Sequence, residues 1–345
     1  MGHVRCGLLP VAVALLALTL PGCVPRVADN EQVSPGETIV LRFSHVVADN
    51  TPKGWAARRF AALVHERTGG RVEVQVFPNS TLYKDGEEID ALRAGAVHFI
   101  APTTSKISQM FPEWQLFDLP YAFESVEQVH RAVDGALGER LYRQLEAQGM
   151  KALAFWDNGF KQMTNSVRPL VWPGDFRGLR FRVQINSPLL EAQFRALGAE
   201  PRPLLFNEVY AALAASTVDG QENTMSNTYS QGFYKVQRYM TVSNHGYMGY
   251  VVLTNAAFWE SLPPDIRRVL EETMAEVTRL EREKALAMNR RDFEEMKKGN
   301  RLAIHLQTEE ERASWRRALE PVYREFVARV GSEPLALLEE LRRSS

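Results

Sequence analysis

The chain has 345 residues, of which 45% are hydrophobic and 24% are charged, and its formal net charge is -1. This length allows two ordinary domains with a sizeable core, and the composition is that of a soluble globular protein. The near-neutral charge argues against a nucleic-acid-binding protein, which would usually carry a strong basic excess.

The first 23 residues have the pattern of a signal peptide. Arg5 precedes an apolar run from Leu8 to Leu20, which at 13 residues is too short to span a bilayer. The run ends in LPGC, which looks like a bacterial lipobox, so Cys23 is expected to become a lipidated N-terminus. The alternative is an ordinary secretory signal that happens to contain a cysteine. Residues 24–37 are then a flexible tether between a membrane anchor and the folded part.

Both cysteines of the chain, Cys6 and Cys23, lie within this leader. The mature protein is therefore expected to have neither an internal disulfide nor a catalytic thiol.

The first part of the body alternates between strand and helix patterns. Strands are predicted at 38–47, 71–78 and 98–102, and helices within 51–70 and 87–97. This order favours an α/β domain with a parallel sheet.

The middle and end of the chain continue the mixture of helices and strands. The hydrophobic patterns predict helices at 124–150, 186–200, 207–216 and 311–330, and strands at 151–156, 179–183, 250–255 and 302–307.

One segment differs from the others because neither proline nor glycine interrupts it from Asp265 to Lys298. A helix of some 30 residues is roughly 45 to 50 Å long, which exceeds one small domain. The segment is expected to run along two lobes; two helices separated by a kink are the alternative.

Motifs for enzymes and cofactors are missing from the sequence. There is no glycine-rich nucleotide loop and no nucleophile elbow, and HERTG lacks the second histidine of a zinc motif. The seven histidines are scattered, so neither a metal nor a cofactor is expected. A secreted, tethered chain without catalytic motifs suggests a protein that holds a small molecule between two lobes.

Segments spread over most of the body together resemble one family. The segments that carry this resemblance are FSHVVADNTPKGWAARRFA, VFPNSTLY, LFDLPYAF, WDNGFKQMTN, PGDFRGLRFRV, EAQFRALGAEPRPLLFNEVYAALAASTVDGQEN and HGYMGYVVLTNAAFWESLP. In this order they resemble the solute-binding subunits of TRAP (tripartite ATP-independent periplasmic) transporters. They are most similar to the branch that binds four-carbon dicarboxylates.

The resemblance implies a two-lobed α/β periplasmic-binding-protein-like fold with a long helix that spans both lobes. Lobe one would contain 38–158 and 249–288, and lobe two 159–248 and 289–345. Such a protein is not an enzyme: it captures a small organic acid in the periplasm and delivers it to a membrane permease. Four-carbon dicarboxylates such as malate, succinate or fumarate are expected, with a 2-oxo acid, a sugar acid or lactate as alternatives. An enzyme or a sensor acting on a small acid stays open.

The family's carboxylate-binding arginine corresponds to Arg182 in GLRFRVQ. A guanidinium offers a rigid fork of donors that meets a carboxylate with two parallel hydrogen bonds; without the resemblance, a surface arginine on an amphipathic strand would be favoured. Asn223 corresponds to a residue that hydrogen-bonds the same carboxylate, and its alternative is a turn asparagine. Lys161 would give a dianionic ligand its second cation unless it is a solvated lysine, and Asn158 lies near it in sequence.

The first lobe is expected to supply further contacts, because ligands bind beyond the carboxyl ends of strands in open α/β sheets. His45 lies at the end of the first strand and Lys53 begins the following helix, whereas Ser105 and Lys106 follow the third strand. A packed histidine and an exposed lysine are the alternatives for the first two. The remaining ligand-binding candidates are the aromatic residues Phe206 and Tyr250, which would otherwise be core residues, and Asn227 and His245.

Overall fold

The computed structural model of the protein describes Gly2 and residues 37–343. Cys23, the predicted signal peptide apart from Gly2, and the predicted tether up to residue 36 lie outside the described residues. Within the described part, no helix has both the length and the apolar character that a membrane crossing needs.

The nine strands described form one mixed sheet in the order β2-β1-β3-β8-β4-β7-β5-β6, and β9 pairs with β8. The strands β1, β2 and β3 are parallel, and β5 is parallel to both β6 and β7. Antiparallel pairing of β4 with β8 joins these two parallel groups. Their bounds are β1 (Ile39–Ser44), β2 (Val72–Phe77), β3 (Phe99–Ile100), β4 (Met150–Asn165), β5 (Arg180–Val183), β6 (Glu200–Pro203), β7 (Gly220–Asn223), β8 (Tyr239–Asn255) and β9 (Ala303–Leu306).

Helices cover the sheet on both sides. Those in the described part are α1 (Pro52–Arg67), α2 (Glu88–Arg93), α3 (Thr104–Ile107), α4 (Val126–Asp134), α5 (Ala136–Glu146), α6 (Pro188–Ala196), α7 (Val209–Ala214), α8 (Met225–Ser230), α9 (Ala256–Ser261), α10 (Pro264–Lys298), α11 (Glu309–Ala318), α12 (Glu320–Val330) and α13 (Glu333–Arg343).

We call β1–β3 with α1–α3 the first half, and β5–β7 with α6–α8 the second half. The crossing strands β4 and β8, of 16 and 17 residues, belong to both halves. Helix α10 is one continuous helix of 35 residues that packs against α1, β4 and α8. The predicted α/β fold with a long helix that contacts both parts is therefore confirmed, and the alternative of two helices separated by a kink is wrong.

The core of the first half joins its sheet to α1 and α10. Leu41 and Phe43 on β1 pack in one buried cluster with Phe60 on α1 and Leu270 on α10. The long helix is thus fixed to the first half by apolar contacts, which fits its stripe of hydrophobic residues.

Two predicted helices are each divided into two. The backbone of Gly135 is extended (φ -109°, ψ -162°) and separates α4 from α5. Residues 311–330 fall into α11 and α12, because Pro321 lies in the first turn of α12, where a missing N–H costs little. The C-terminal α13 packs against α4 and α5.

The crossing strands are longer than the sequence pattern predicts. The letters WDNG are typical of a turn and end the strand predicted at 151–156, but β4 continues through them with a register shift between Asp157 and Gly159. Gly159 has a φ of +121°, which favours glycine. Asn289 on α10 donates to the Asn158 carbonyl at 2.6 Å, so the long helix holds this irregularity in place.

A buried acid lies where α10 crosses β4. Glu281 is fully buried, and its Oε2 accepts a hydrogen bond from the Asp157 backbone N–H at 2.9 Å. Burial first, and then the neighbouring Asp157 carboxylate, holds the pKa of Glu281 well above its usual range. The folded protein therefore favours the protonated form of Glu281.

We expect the variant Glu281→Gln to gain stability relative to the natural chain as the pH rises. An unfolded glutamate ionises near pH 4.3, roughly, whereas the folded state retains the proton, so the natural chain loses stability from that pH up to the raised pKa. The loss is at most about 1.4 kcal/mol per pH unit. Urea unfolding between about pH 5 and pH 8 measures it.

Glu283→Gln is the control, because this glutamate lies exposed on the same helix in a pair with Arg279. Unfolding free energies of Glu281→Gln and the natural chain that run parallel with pH would contradict a protonated Glu281.

Candidate functional site

A small cavity lies between the two halves of the molecule. Two larger depressions run along α10, but this cavity is the candidate site because it brings Arg182, Asn223 and Lys106 together in buried surroundings. The residues that line it are Val46, Val47, Asp85, Thr103, Lys106, Arg182, Gln184, Phe206, Asn223, Asn227, Met248 and Tyr250.

Arg182 is a fixed cation at one wall of this cavity. The side chain is 1% exposed, and its Nε and Nη2 donate to the Leu204 carbonyl at 3.3 and 3.0 Å. Burial lowers the pKa of Arg182 to about 10, against the opposing effect of Asp85 and Glu222, so the guanidinium stays charged at neutral pH. Strand β5 places it there because Phe181 and Val183 alternate with it into the core.

Asn223 presents an amide to the same cavity from the end of the neighbouring strand β7. Its Oδ1 accepts from Asn227 Nδ2 at 2.9 Å and from the Thr224 N–H at 3.1 Å, which fixes the orientation of the amide. Its Nδ2 is buried, and no acceptor in the described part of the chain lies within hydrogen-bond distance. A buried donor of this kind is costly unless it meets an acceptor.

Lys106 and Asp85 face Arg182 from the first half. Lys106 forms an ion pair with Asp85, and Glu88 Oε2 lies 3.8 Å from its Nζ. Burial by itself would raise the pKa of Asp85, but Lys106 first, and then Arg182, hold it below its usual range. Asp85 was not predicted from the sequence, because its loop shows no periodic pattern.

Tyr250 forms a wall of the cavity and is supported from behind. Lys53 Nζ lies 3.8 Å from the centre of its ring and donates to the Ala101 carbonyl at 2.8 Å. Burial lowers the pKa of Lys53 to about 7, against the opposing effect of Glu88. Asn158 Nδ2 donates to the Tyr250 hydroxyl at 2.8 Å. Lys53 and Asn158 therefore act on the cavity through Tyr250 and do not line it.

His45 is fully buried beside the cavity-lining residues Val46 and Val47. Burial first, and then Lys53, lowers the pKa of His45 to about 3, so the imidazole is neutral at neutral pH. It does not line the cavity itself.

Three further predicted site residues belong to a buried polar network next to the cavity. Lys161 Nζ lies 2.6 Å from Glu222 Oε1, and His245 Nε2 lies 2.7 Å from Glu222 Oε2. Burial alone would raise the pKa of Glu222, but Lys161 first, and then His245, hold it well below its usual range. Ser105 donates to Asp118 at 2.6 Å. We call Lys161, Glu222, His245, Asp118 and Ser105 the inner network.

The predicted site residues thus separate into two groups. Those that line the cavity are Arg182, Asn223, Asn227, Lys106, Phe206 and Tyr250. Those that lie behind it or in the inner network are Lys161, His45, Lys53, Ser105, Asn158 and His245. For both groups, contact with a ligand stays a prediction.

Some residues that line the cavity were not predicted from the sequence. Thr103 Oγ1 donates to Gln184 Oε1 at 2.8 Å across the two halves. Gln184 ends the quoted motif GLRFRVQ, two residues after Arg182, so the alternation of the strand was the signal that could have found it. Met248 and Val46 lack any such signal.

The comparison with protein families gives one model that matches most of the chain. The model describes a bacterial extracellular solute-binding protein of family 7, and it matches residues 43–329. The C4-dicarboxylate-binding periplasmic protein DctP of Rhodobacter capsulatus is 44% identical over 333 residues, which cover 96% of this chain and 97% of that protein.

Solved structures of TRAP periplasmic solute-binding proteins are similar over almost the same length. The protein of Sulfurospirillum deleyianum, solved with bound succinate, is 41% identical with a TM-score of 0.84, and covers 88% of this chain and 98% of its own. The protein of Pseudomonas aeruginosa, solved with bound L-malate, is 40% identical with a TM-score of 0.80, and covers 83% and 99%.

We expect Lys161→Met to destabilise the protein strongly, because it leaves the Glu222 carboxylate buried without its cation. Breaking a buried ion pair by removing one partner costs about 3–5 kcal/mol. The double variant Lys161→Met with Glu222→Gln recovers part of this loss. Urea unfolding gives both values.

The matched control is Arg279→Met, which removes the cation of an exposed pair on α10 and costs less than about 1 kcal/mol. A loss in Lys161→Met no larger than in this control would contradict the structural role of Lys161.

Proposed function

The chain belongs to family 7 of the bacterial extracellular solute-binding proteins, and we propose that it captures a four-carbon dicarboxylate such as succinate, malate or fumarate. Members of this family are transport proteins and not enzymes, and the protein acts in the periplasm. The ligand binds in the cavity between the two halves and is delivered to a TRAP membrane permease.

The observation that carries this proposal is the buried, fixed guanidinium of Arg182 beside the amide of Asn223. Two donors of Arg182 hold the Leu204 carbonyl and so fix the plane of the guanidinium, and Nη1 forms no hydrogen bond within the described residues. A ligand carboxylate accepts from this Nη1 and from Asn223 Nδ2. Each charge-assisted contact contributes roughly 1.5–3 kcal/mol.

A dicarboxylate suits this cavity because a second cation faces the first. Lys106 lines the cavity from the first half, and the carboxyl groups of Asp85 and Glu88 near its Nζ neutralise part of the positive charge of Lys106 and Arg182. The similar structures with bound succinate and L-malate support the same ligand class for this chain.

The two halves act as lobes that close over the ligand. Lobe one comprises 38–158 and 249–288, and lobe two comprises 159–248 and 289–345. The hinge lies in the crossing strands near Gly159, where β4 has its register shift. Hinge closure around a small ligand is the usual mechanism of two-lobed binding proteins.

The proposal includes a lipid anchor at the end of the leader, which attaches the protein to the membrane. Lipidation of Cys23 holds the protein at the membrane, and residues 24–37 give it the reach to meet the permease.

We expect Arg182→Lys to weaken binding of succinate and L-malate by at least about 2 kcal/mol, roughly 30-fold in Kd. A single ammonium cannot hold the Leu204 carbonyl and at the same time donate to the ligand carboxylate from a fixed plane. Arg182→Ala weakens binding further. Titration calorimetry with succinate, L-malate, a 2-oxo acid, a sugar acid and lactate measures the effect and identifies the ligand class.

Arg202→Ala is the matched control, since Arg202 lies opposite Arg182 on the neighbouring strand β6 but is half exposed and paired with Glu200. Equal affinity in Arg182→Ala and the natural chain would remove Arg182 from the site. Tight binding of another acid, without binding of succinate or malate, would contradict the proposal that the ligand is a four-carbon dicarboxylate.

Replacing Cys23 by serine tests the anchor. We expect Cys23→Ser to move the protein from the membrane fraction to the soluble periplasmic fraction, because serine accepts no thioether-linked lipid. Cys6→Ser, inside the same leader, is the control and leaves the fractionation unchanged. A soluble natural chain would contradict the lipid anchor.

A further inference from the structure

A short backbone segment of the second half is held from both sides at the cavity. Arg182 donates to the Leu204 carbonyl, and two residues later the Phe206 N–H donates to Asp85 Oδ2 at 3.1 Å. Arg182 belongs to the same half as this segment, whereas Asp85 comes from the loop between β2 and α2 of the first half. The bond between Asp85 and Phe206 therefore joins the two halves beside the proposed ligand site.

Asp85 is itself held in position by the first half. Its Oδ1 takes the ion pair with Lys106 and its Oδ2 takes the Phe206 N–H, so the two oxygens serve two different donors. The carboxylate is 5% exposed, and Lys106 keeps it ionised by lowering its pKa. A hydrogen bond from a backbone N–H to an ionised carboxylate is stronger than a neutral one.

Apolar contacts lie next to this bond. Val46 and Val47 of the first half pack in one buried cluster with Phe206, Val209 and Phe233 of the second half. These contacts exclude water from the polar bond and make it worth more than it would be at an exposed surface.

We infer that Asp85 is a positioning residue for closure: its carboxylate, oriented by Lys106, takes the Phe206 N–H when the two halves meet and keeps the ligand at Arg182. This inference rests on the proposed function. It assigns Asp85 to retention of the ligand and not to attraction of the ligand, since a carboxylate in the cavity repels an anion.

A purely electrostatic role of Asp85 and a role in holding the halves together predict opposite results when the Asp85 charge is removed. If Asp85 acts only through its charge, Asp85→Ala and Asp85→Asn make the cavity more positive and bind a dicarboxylate more tightly. If Asp85 holds the halves together, both variants release the ligand faster. Asparagine does not replace aspartate here, because Lys106 and the Phe206 N–H meet different oxygens of Asp85. An amide has no negative charge and presents an NH2 donor to one of these two donors.

The experiment measures association and dissociation rates of succinate and malate by stopped flow for the natural chain, Asp85→Ala and Asp85→Asn. We expect dissociation to become about tenfold faster or more, the size of one charge-assisted hydrogen bond, with little change in association. The control is Asp90→Asn, an exposed aspartate on α2 close in sequence. Dissociation within twofold of the natural chain, or tighter binding, overturns the inference.

Hydrogen exchange of the Phe206 amide gives a second measurement that needs no ligand. We expect this amide to exchange faster in both Asp85 variants, while the Leu204 amide, which donates to the Val183 carbonyl within the second half, keeps its protection. If the natural chain binds neither acid, the proposed function fails. The exchange rate of the Phe206 amide then tests by itself whether Asp85 holds the two halves together. Unchanged exchange in Asp85→Ala then overturns the inference.

Discussion

The arrangement around the cavity depends on the burial of one guanidinium. Removing a cation from water is costly unless its donors are paired and carboxylates lie nearby. Arg182 satisfies this requirement through the Leu204 carbonyl and through the fields of Asp85 and Glu222, one from each half of the molecule. Neither carboxylate pairs directly with the guanidinium, because Asp85 pairs with Lys106 and Glu222 pairs with Lys161. The guanidinium can therefore pair with the carboxylate of a ligand.

The inner network holds the strand next to this guanidinium in position. Glu222 and Asn223 are adjacent on β7, so Asn223 faces the cavity while Glu222 is tied to Lys161 and His245. The Glu222 carboxylate is bonded on both oxygens, which fixes the strand that carries Asn223. Charged residues that do not line the cavity therefore hold the strand that presents Asn223 to it. The ion pair of Lys161 with Glu222 belongs to this support.

The crossing strands and the long helix connect this site to the rest of the molecule. Strands β4 and β8 pass from one half to the other, and α10 packs against elements of both halves. Asn289 and Glu281 on α10 bond the backbone of Asn158 and Asp157, immediately before Gly159. The helix thus supports the crossing strands next to the hinge that we propose, and Asp85 forms a contact that joins the two halves.

The sequence by itself determined the α/β class and the uninterrupted long helix. Through the resemblance of its motifs, it also indicated the family and singled out Arg182 as the candidate carboxylate-binding residue. These properties are local: they follow from periodicity, from helix-breaking residues and from the order of short motifs. It could not determine which cation meets which anion, because Lys161 and Glu222 are 61 residues apart and Asp85 and Phe206 are 121 apart. In the sequence, a lysine such as Lys161 looks the same whether it faces a cleft or a buried carboxylate. Only the packing of distant segments placed Lys161 in the inner network and Asp85 at the cavity, since burial makes each unpaired charge costly and so fixes its partner.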